Sequence, residues 1–410
     1  MGTRRAALHL DLFEQPGRKR VIEQSVKQGR TGTNVMSDLT QALSQIRNGT
    51  VARLLLDEVL EMAAREGILE RMRGLSRFTC EELCRALQSD LGYALQKGNR
   101  QRMICLFLKI LRECGWVRDS EGLWTWGPGD PPPIPGSGEQ AISALEPSAA
   151  DDQYHFFMGC MESIPAYLRG GSPSFLFDEN NAEAWELFLG CAEFRTCRSL
   201  LLELMGIEND PSFRLLDLCH GPGWGLEAAI ARYPAIHVTA LDFTDVFSRE
   251  ARARAEHAQV RNRRLGHPAA PIVWLGPEQW KGFGDPLPFP DNSLDAVFFS
   301  CGDPYIPHGM RTEVYREIAR VLVPDGKLGI LTRCLPDTAA RHVPSFWLRI
   351  SALVHDFAES VCEGWEGFSD AEDNVRVFSD AGFLGGVSLL GTMSLLESSL
   401  WVLKKRRGNG

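Results

Sequence analysis

Apolar and polar positions follow two regimes along this chain. Between about Ser37 and Met72, Leu54, Leu55, Val59, Leu60 and Met62 recur on one helical face. The stretch SRFTCEELCRAL follows, with Thr79 three residues before Glu82 and an apolar run behind them. That is the spacing of a capping box and predicts a helix start. A further helical pattern runs through NRQRMICLFLKILRECGW and ends near Gly115. WVRDSEGLWTW then predicts two short strands around a Ser-Glu-Gly turn. GPGDPPPIPGSGEQ, from Gly127 to Gln140, predicts a linker or long surface loop. Helical spacing resumes from Tyr154 to Leu168 and from Ala182 to Met205.

After Pro211 the regime changes. Short apolar runs alternate with helical patterns: FRLLDLC, HVTALDF, APIVWL, LDAVFFSC, KLGILTRC, GGVSLLG and SSLWVLKK. Strands alternating with helices predict a mostly parallel sheet covered on both faces. Ligands of such sheets bind at the carboxyl ends of the strands. The N-terminal order of helix, helix and hairpin resembles a winged helix. Its recognition-helix position carries Arg100, Arg102, Lys109 and Arg112 among many apolar residues, which favours packing or dimerisation over DNA contact.

Composition narrows the class. A chain of 410 residues has room for two or three domains at roughly 100–200 residues each. An apolar fraction of 44% supports a sizeable core. The net charge of −9 argues against broad nucleic-acid binding, which rests on basic surface. No apolar run reaches the roughly 20 residues of a membrane helix. The 11 cysteines, an odd number without CxxC pairs, fit free thiols in a reducing, cytoplasmic setting. Cys80 and Cys84 share a helix face, where core thiols are favoured over a metal pair, and no metal is expected. Basic residues outnumber acids over 1–33 without an apolar signal core, which predicts a loose tail, with an organelle transit segment as the alternative.

The candidate chemistry begins at LLDLCHGPGWGLEAAIARYP. Gly221, Gly223 and Gly225 follow the first strand of the second regime, where bare backbone can approach a nucleotide-like ligand. The spacing G-x-G-x-G differs from the dinucleotide fingerprint G-x-G-x-x-G. The next strand ends in Asp242, whose carboxylate can accept from two ribose hydroxyls, and Phe243 beside it can pack on an adenine. Helix capping is the structural alternative for Asp242.

Two further stretches, GDPLPFPDNSLDAVFFSC and EIARVLVPDGKLGIL, complete a pattern. Together with the glycine turn and the strand-ending acid, in this order over roughly 211–404, they resemble class I S-adenosylmethionine-dependent methyltransferases. The resemblance implies a Rossmann-like α/β sheet of seven mostly parallel strands and S-adenosylmethionine as methyl donor. It implies that Asp217, Cys219 and the backbone of Gly221 and Gly223 face the cofactor's methionine part. Asp242 and Phe243 would hold the adenosine, Asp285 the adenine amino group, and Ser300 and Cys301 would border the sulfonium. Cys219 stands where the family carries its first glycine. The N-terminal half is similar to small-molecule O-methyltransferases that dimerise through a winged-helix-like domain. That implies a homodimer and makes Tyr154, Phe157, Met158 and Met161 candidate walls of an acceptor pocket.

A hydroxyl acceptor requires a general base within hydrogen-bond reach, whereas a thioether requires none. His308, Asp303 and Tyr305 lie in the expected base region. Arg333, Arg341 and His342 could meet a polar group of the acceptor. The expected division is a tail over 1–36, a winged-helix-like domain over 37–128, linker and roofing helices over 129–210, and a methyltransferase domain over 211–407. O-methylation of a small molecule leads. S-methylation of a thioether or thiol acid, a nicotinamide enzyme and a ligand-sensing DNA-binding regulator are the alternatives.

Overall fold

The structure, a computed structural model, describes residues 50–96, 98–127, 151–335, 346–389 and 398–407. The expected tail over 1–36 and nearly all of the Pro/Gly stretch lie outside the described residues.

The N-terminal unit is built from helices α1 (Thr50–Arg65), α2 (Ile68–Leu75), α3 (Cys80–Leu91) and α4 (Asn99–Glu113), with strands β1 (Arg77–Thr79), β2 (Val117–Ser120) and β3 (Leu123–Trp126). The strands form a small sheet in the order β1-β3-β2. The capping box is present. Thr79 Oγ1 accepts the Glu82 N–H at 3.2 Å, and a Glu82 carboxylate oxygen accepts the Thr79 N–H at 2.8 Å. The β2–β3 turn places Glu121 and Gly122 at φ 54° and 84°, the left-handed pair that a tight hairpin requires.

Two basic residues of α4 bond to other parts of the chain. Arg100 donates to the carbonyls of Tyr167 and Gly171 at 2.7 and 2.8 Å. Arg102 pairs with Asp356 at 2.8 Å. Phe107 of the same helix packs on Phe357. This helix is therefore engaged with the rest of the chain, the packing role expected from its apolar positions.

Helices α5 (Asp151–Leu168), α6 (Ala182–Leu189) and α7 (Ala192–Met205) lead into the large sheet. Its strands are β4 (Arg214–Leu218), β5 (His237–Leu241), β6 (Ile272–Leu275), β7 (Leu294–Ser300), β8 (Leu322–Thr332), β11 (Phe383–Leu389) and β12 (Ser399–Lys405). The order is β11-β12-β8-β7-β4-β5-β6. Five strands run parallel, and β11 and β12 pair antiparallel at one end. Each apolar run read from the sequence is one of these strands. Ala296, Val297, Phe298 and Phe299 of β7 are all 0% exposed, as a strand covered on both faces must be. Helices α7, α8 (Trp224–Arg232), α10 (Arg311–Val321) and α12 (Ala371–Asp380) pack on the sheet, α9 (Ser248–Arg264) packs on α8, and α11 (Phe346–Glu359) packs on α1, α4 and α5, while β9 (Cys334–Leu335) and β10 (Ser369–Asp370) form a short separate pair. The strand order reverses between β4 and β7, so a crevice opens at their carboxyl ends.

Candidate active site

A cavity with about 790 Å³ of empty space opens at that crevice. Its floor is made by strand ends. Cys219 and Gly221 follow β4, Asp242, Phe243 and Thr244 follow β5, and Ser300 and Cys301 end β7. The turn after β4 is tied to its neighbour by two bonds. Gly221 N–H donates to Asp242 Oδ2 at 2.8 Å, and Cys219 N–H to Leu241 O at 2.8 Å. Asp242 Oδ1 accepts the Thr244 N–H at 3.2 Å, so the acid is fixed in place with lone pairs to spare. Gly221 sits at φ 49°, a conformation glycine adopts freely. Cys219 sits at φ 55° and Cys301 at φ 63°, so two non-glycine residues hold left-handed backbone at the cavity floor.

The other residues among the glycines serve packing. His220 donates through Nδ1 to Gly221 O at 2.7 Å and sets its ring edge-on to Trp274. Trp224 reaches up to α6, donating to Glu186 O at 3.2 Å. A Cβ on Gly190 would lie 2.5 Å from the Trp224 ring, so the roof can approach the turn only because residue 190 has no side chain.

The roof comes from α6, α7 and the loop before them. Phe177, Trp185, Phe188, Leu189 and Phe194 line it, and Trp365 and Phe368 close the far wall. Arg198 of α7 is buried and braces the floor, donating to Ser300 Oγ at 2.8 Å and Leu189 O at 2.6 Å.

Several expected site residues fall elsewhere. His308 is exposed and bonds to Glu366 O at 3.0 Å, away from the cavity lining. Asp303 is held in a buried network by Arg311 at 2.9 Å, Thr332 at 3.2 Å and the Tyr315 hydroxyl, so its carboxylate is spent on the loop's own structure. Tyr305 does line the cavity, against Phe177 and Trp365, but burial drives its hydroxyl ionisation well above the usual range. Asp285 lies ten residues beyond the end of β6 and borders a second cavity, separated by Phe283, which lines both. Gly223 packs on α9, where a Cβ would meet Ala251 at 2.6 Å. Phe157 stacks on His355, and Tyr154, Met158 and Met161 also lie off the cavity lining. The cavity roof is instead lined one helix later. Arg333 lines the cavity, while Arg341 and His342 lie outside the described residues.

The sequence reading missed Glu359, the last residue of α11, which lines the cavity. Burial raises its carboxyl to about 8, against the pull of Arg333 and with a further upward push from Asp356. Arg333 itself pairs with buried Glu193 at 3.3 Å. Beneath the floor, Asp217 is raised to about 7 by burial, opposed by Arg198 and reinforced by Asp242. Its Oδ2 has no hydrogen-bond partner among the described residues. Burial also raises Asp242, opposed by His220 and by backbone N–H donors.

This floor suits a cationic ligand with vicinal hydroxyls. Two desolvated carboxyls at adjacent strand ends regain their charge when a positive centre arrives. The bare Gly221 backbone and the open lone pairs of Asp242 leave room and acceptors for a ribose. S-adenosylmethionine carries a sulfonium, an ammonium and a ribose diol, so the residues present fit it.

Residues 216–330 match the methyltransferase domain family. A demethylmenaquinone methyltransferase from Listeria welshimeri is 27% identical over 201 residues, covering 45% of this chain and 75% of that protein. The CurJ carbon methyltransferase structure superposes with a TM-score of 0.62 at 14% identity, over 95% of this chain and 99% of that one. An O-methyltransferase family 2 protein from Planctomyces limnophilus, in complex with apigenin, gives a TM-score of 0.51 at 14% identity, over 90% and 96%. These likenesses show a shared fold. Fold, strand-end site and domain match together define an S-adenosylmethionine-dependent methyltransferase. The methyltransferase domain match spans residues 216–330, and the fold is the one seen in the CurJ carbon methyltransferase structure.

Proposed function

We propose that this enzyme methylates a hydroxyl of a flat, largely apolar small molecule, with Glu359 as the general base. The observation that carries this is a carboxyl raised to about 8 on the wall of an aromatic-lined cavity. S-adenosylmethionine supplies a methyl group already activated on positive sulfur. The chain's tasks are then to orient the acceptor, keep water out and take up one proton.

In this reading Asp242 and Phe243 hold the adenosine, and Asp217, Cys219 and Gly221 face the methionine end. Ser300 and Cys301 border the reacting sulfur. Trp185, Phe188 and Phe194 sandwich the acceptor from the roof. Arg333, already charge-matched by Glu193, steadies an oxygen that becomes anionic as Glu359 takes its proton. A free carboxylate on the acceptor is not required.

Methylation at an enolisable carbon is the second reading. It draws on the likeness to demethylmenaquinone methyltransferase and needs the same base. The unit over 50–126 is read as a winged-helix-like packing and dimerisation module. Incubation with methyl-labelled cofactor and a panel of phenols, enols and thioethers tests the whole assignment. Label on oxygen supports the first reading, label on carbon the second, and label on thioethers alone overturns both.

A further inference from the structure

Glu359 does not meet its surroundings alone. The titratable groups around it are Arg333 after β8, Tyr305 and Cys301 near the end of β7, Cys160 on α5, Cys362 just beyond α11, and Asp356 on its own helix. Arg333 draws its proton off, and Asp356 holds it on. Asp356 lies one helical turn before Glu359 and is 0% exposed.

What keeps Asp356 from dominating comes from the N-terminal unit. Arg102 of α4 reaches across the sequence, and its Nη1 donates to both oxygens of Asp356, at 2.8 and 2.9 Å. Its Nη2 donates to Ser360 Oγ at 2.7 Å, and Asn99 donates to Ser360 O at 2.6 Å. The same carboxylate accepts Trp365 Nε1–H at 2.9 Å, and Trp365 lines the cavity. The fit is close. Gly367 sits at φ 106°, and a Cβ there would fall 2.2 Å from Arg102 Nη1.

We propose that Arg102 is a positioning residue that sets the ionisation of the base. By neutralising Asp356 it lets Glu359 lose its proton at a lower pH than an unpaired Asp356 would allow, and by anchoring Asp356 it fixes Trp365 on the cavity wall. The N-terminal unit thus completes the active site from behind. The catalytic consequence rests on Glu359 being the base; the electrostatic coupling does not.

The test follows the Glu359 carboxyl directly, in the full-length protein carrying 13C-labelled glutamate. Carbon NMR is recorded through a pH titration, and the signal missing from Glu359→Gln is the one assigned. Replacing Arg102 by Met leaves Asp356 as an uncompensated buried anion, so the Glu359 midpoint is expected to rise by about one pH unit. Arg102→Lys, which keeps the charge, is expected to recover most of the wild-type midpoint. The double variant Arg102→Met with Asp356→Asn is expected to return it to the wild-type value or below. If the Met variant titrates as wild type does, or the double variant stays as high as the single one, the coupling is overturned. Where the Met variant is too unstable to titrate, Asp356→Asn decides it: the Glu359 midpoint is expected to fall, and an unchanged midpoint overturns the coupling. A midpoint that moves as expected while Glu359→Gln keeps full methyl transfer would reject the base alone and leave the coupling standing.

Discussion

Gly221 and Asp242 are joined by a 2.8 Å hydrogen bond from backbone N–H to carboxylate. The bond links the ends of two adjacent parallel strands and aims the turn and the acid into one cavity. It explains why an acid follows the next strand, while the φ of 49° is what favours glycine at 221. Charge and main chain converge there, and the roof helices lie above them.

Asp217 predicts a pH dependence of the ligand-free protein. Its carboxyl is raised to about 7 in the fold, against roughly 3.9 in the unfolded chain. Between those values the native state keeps a proton that the unfolded state has released. Its contribution therefore lowers stability as pH rises from about 4 to about 7. Asp217→Asn removes the cost, and the apo protein should gain stability at pH 7.5 in urea unfolding, by up to about 4 kcal/mol for a shift of about three pKa units. The same change should weaken S-adenosylhomocysteine binding.

Cys219 predicts a gain from a family-like residue. Holding a cysteine at φ 55° costs roughly 1–2 kcal/mol, part of which glycine gives back through a freer unfolded chain. Cys219→Gly should raise stability by about 0.5–1 kcal/mol and leave cofactor affinity within a factor of about three. Thermal melting and calorimetry read both. Cys219→Val, with a branched Cβ in the same conformation, should move stability the opposite way.

Gly190 predicts a strong penalty for a small addition. A methyl group there would overlap the Trp224 ring and lie 2.8 Å from Glu186 O. Gly190→Ala should cost about 1–3 kcal/mol and loosen the roof. Hydrogen exchange over 182–189 would report that loosening as faster amide turnover.

Glu359 predicts the alkaline side of the activity profile. Methyl transfer to a hydroxyl acceptor should rise through a midpoint near 8, because the base must shed its proton first. In Glu359→Gln the rate should fall by roughly 100-fold or more and that limb should disappear.

Much of the fold was readable in advance. The capping box at Thr79 and Glu82, the seven apolar runs and the glycine turn are local signals, and local spacing decides them. The cavity floor was readable for a related reason: Cys219, Gly221, Asp242, Phe243, Ser300 and Cys301 sit at strand ends, where the parallel sheet must place them. The acceptor side was not. Glu359 ends a helix far along the chain and reaches the cavity only through the packing of α11 on α1, α4 and α5. His308 looked right by position, yet a short helical turn leaves it at the surface. Asp285 lies ten residues after β6 and borders the second cavity, which shares Phe283 with the first. The aromatic residues Phe177, Trp185, Phe188 and Phe194 line the roof, one helix after the stretch that the sequence pattern points to.

The central claim is that the floor formed by Gly221 and Asp242 holds the adenosyl cofactor. Calorimetric titration of S-adenosylhomocysteine into the wild-type protein and into Asp242→Ala tests it most directly. The prediction is one-to-one binding by wild type and a loss of about 100-fold or more in the variant, as a buried charged acceptor and its backbone partner are both stripped of their bonds. Equal affinity in the two proteins, or no binding by folded wild type, would contradict it.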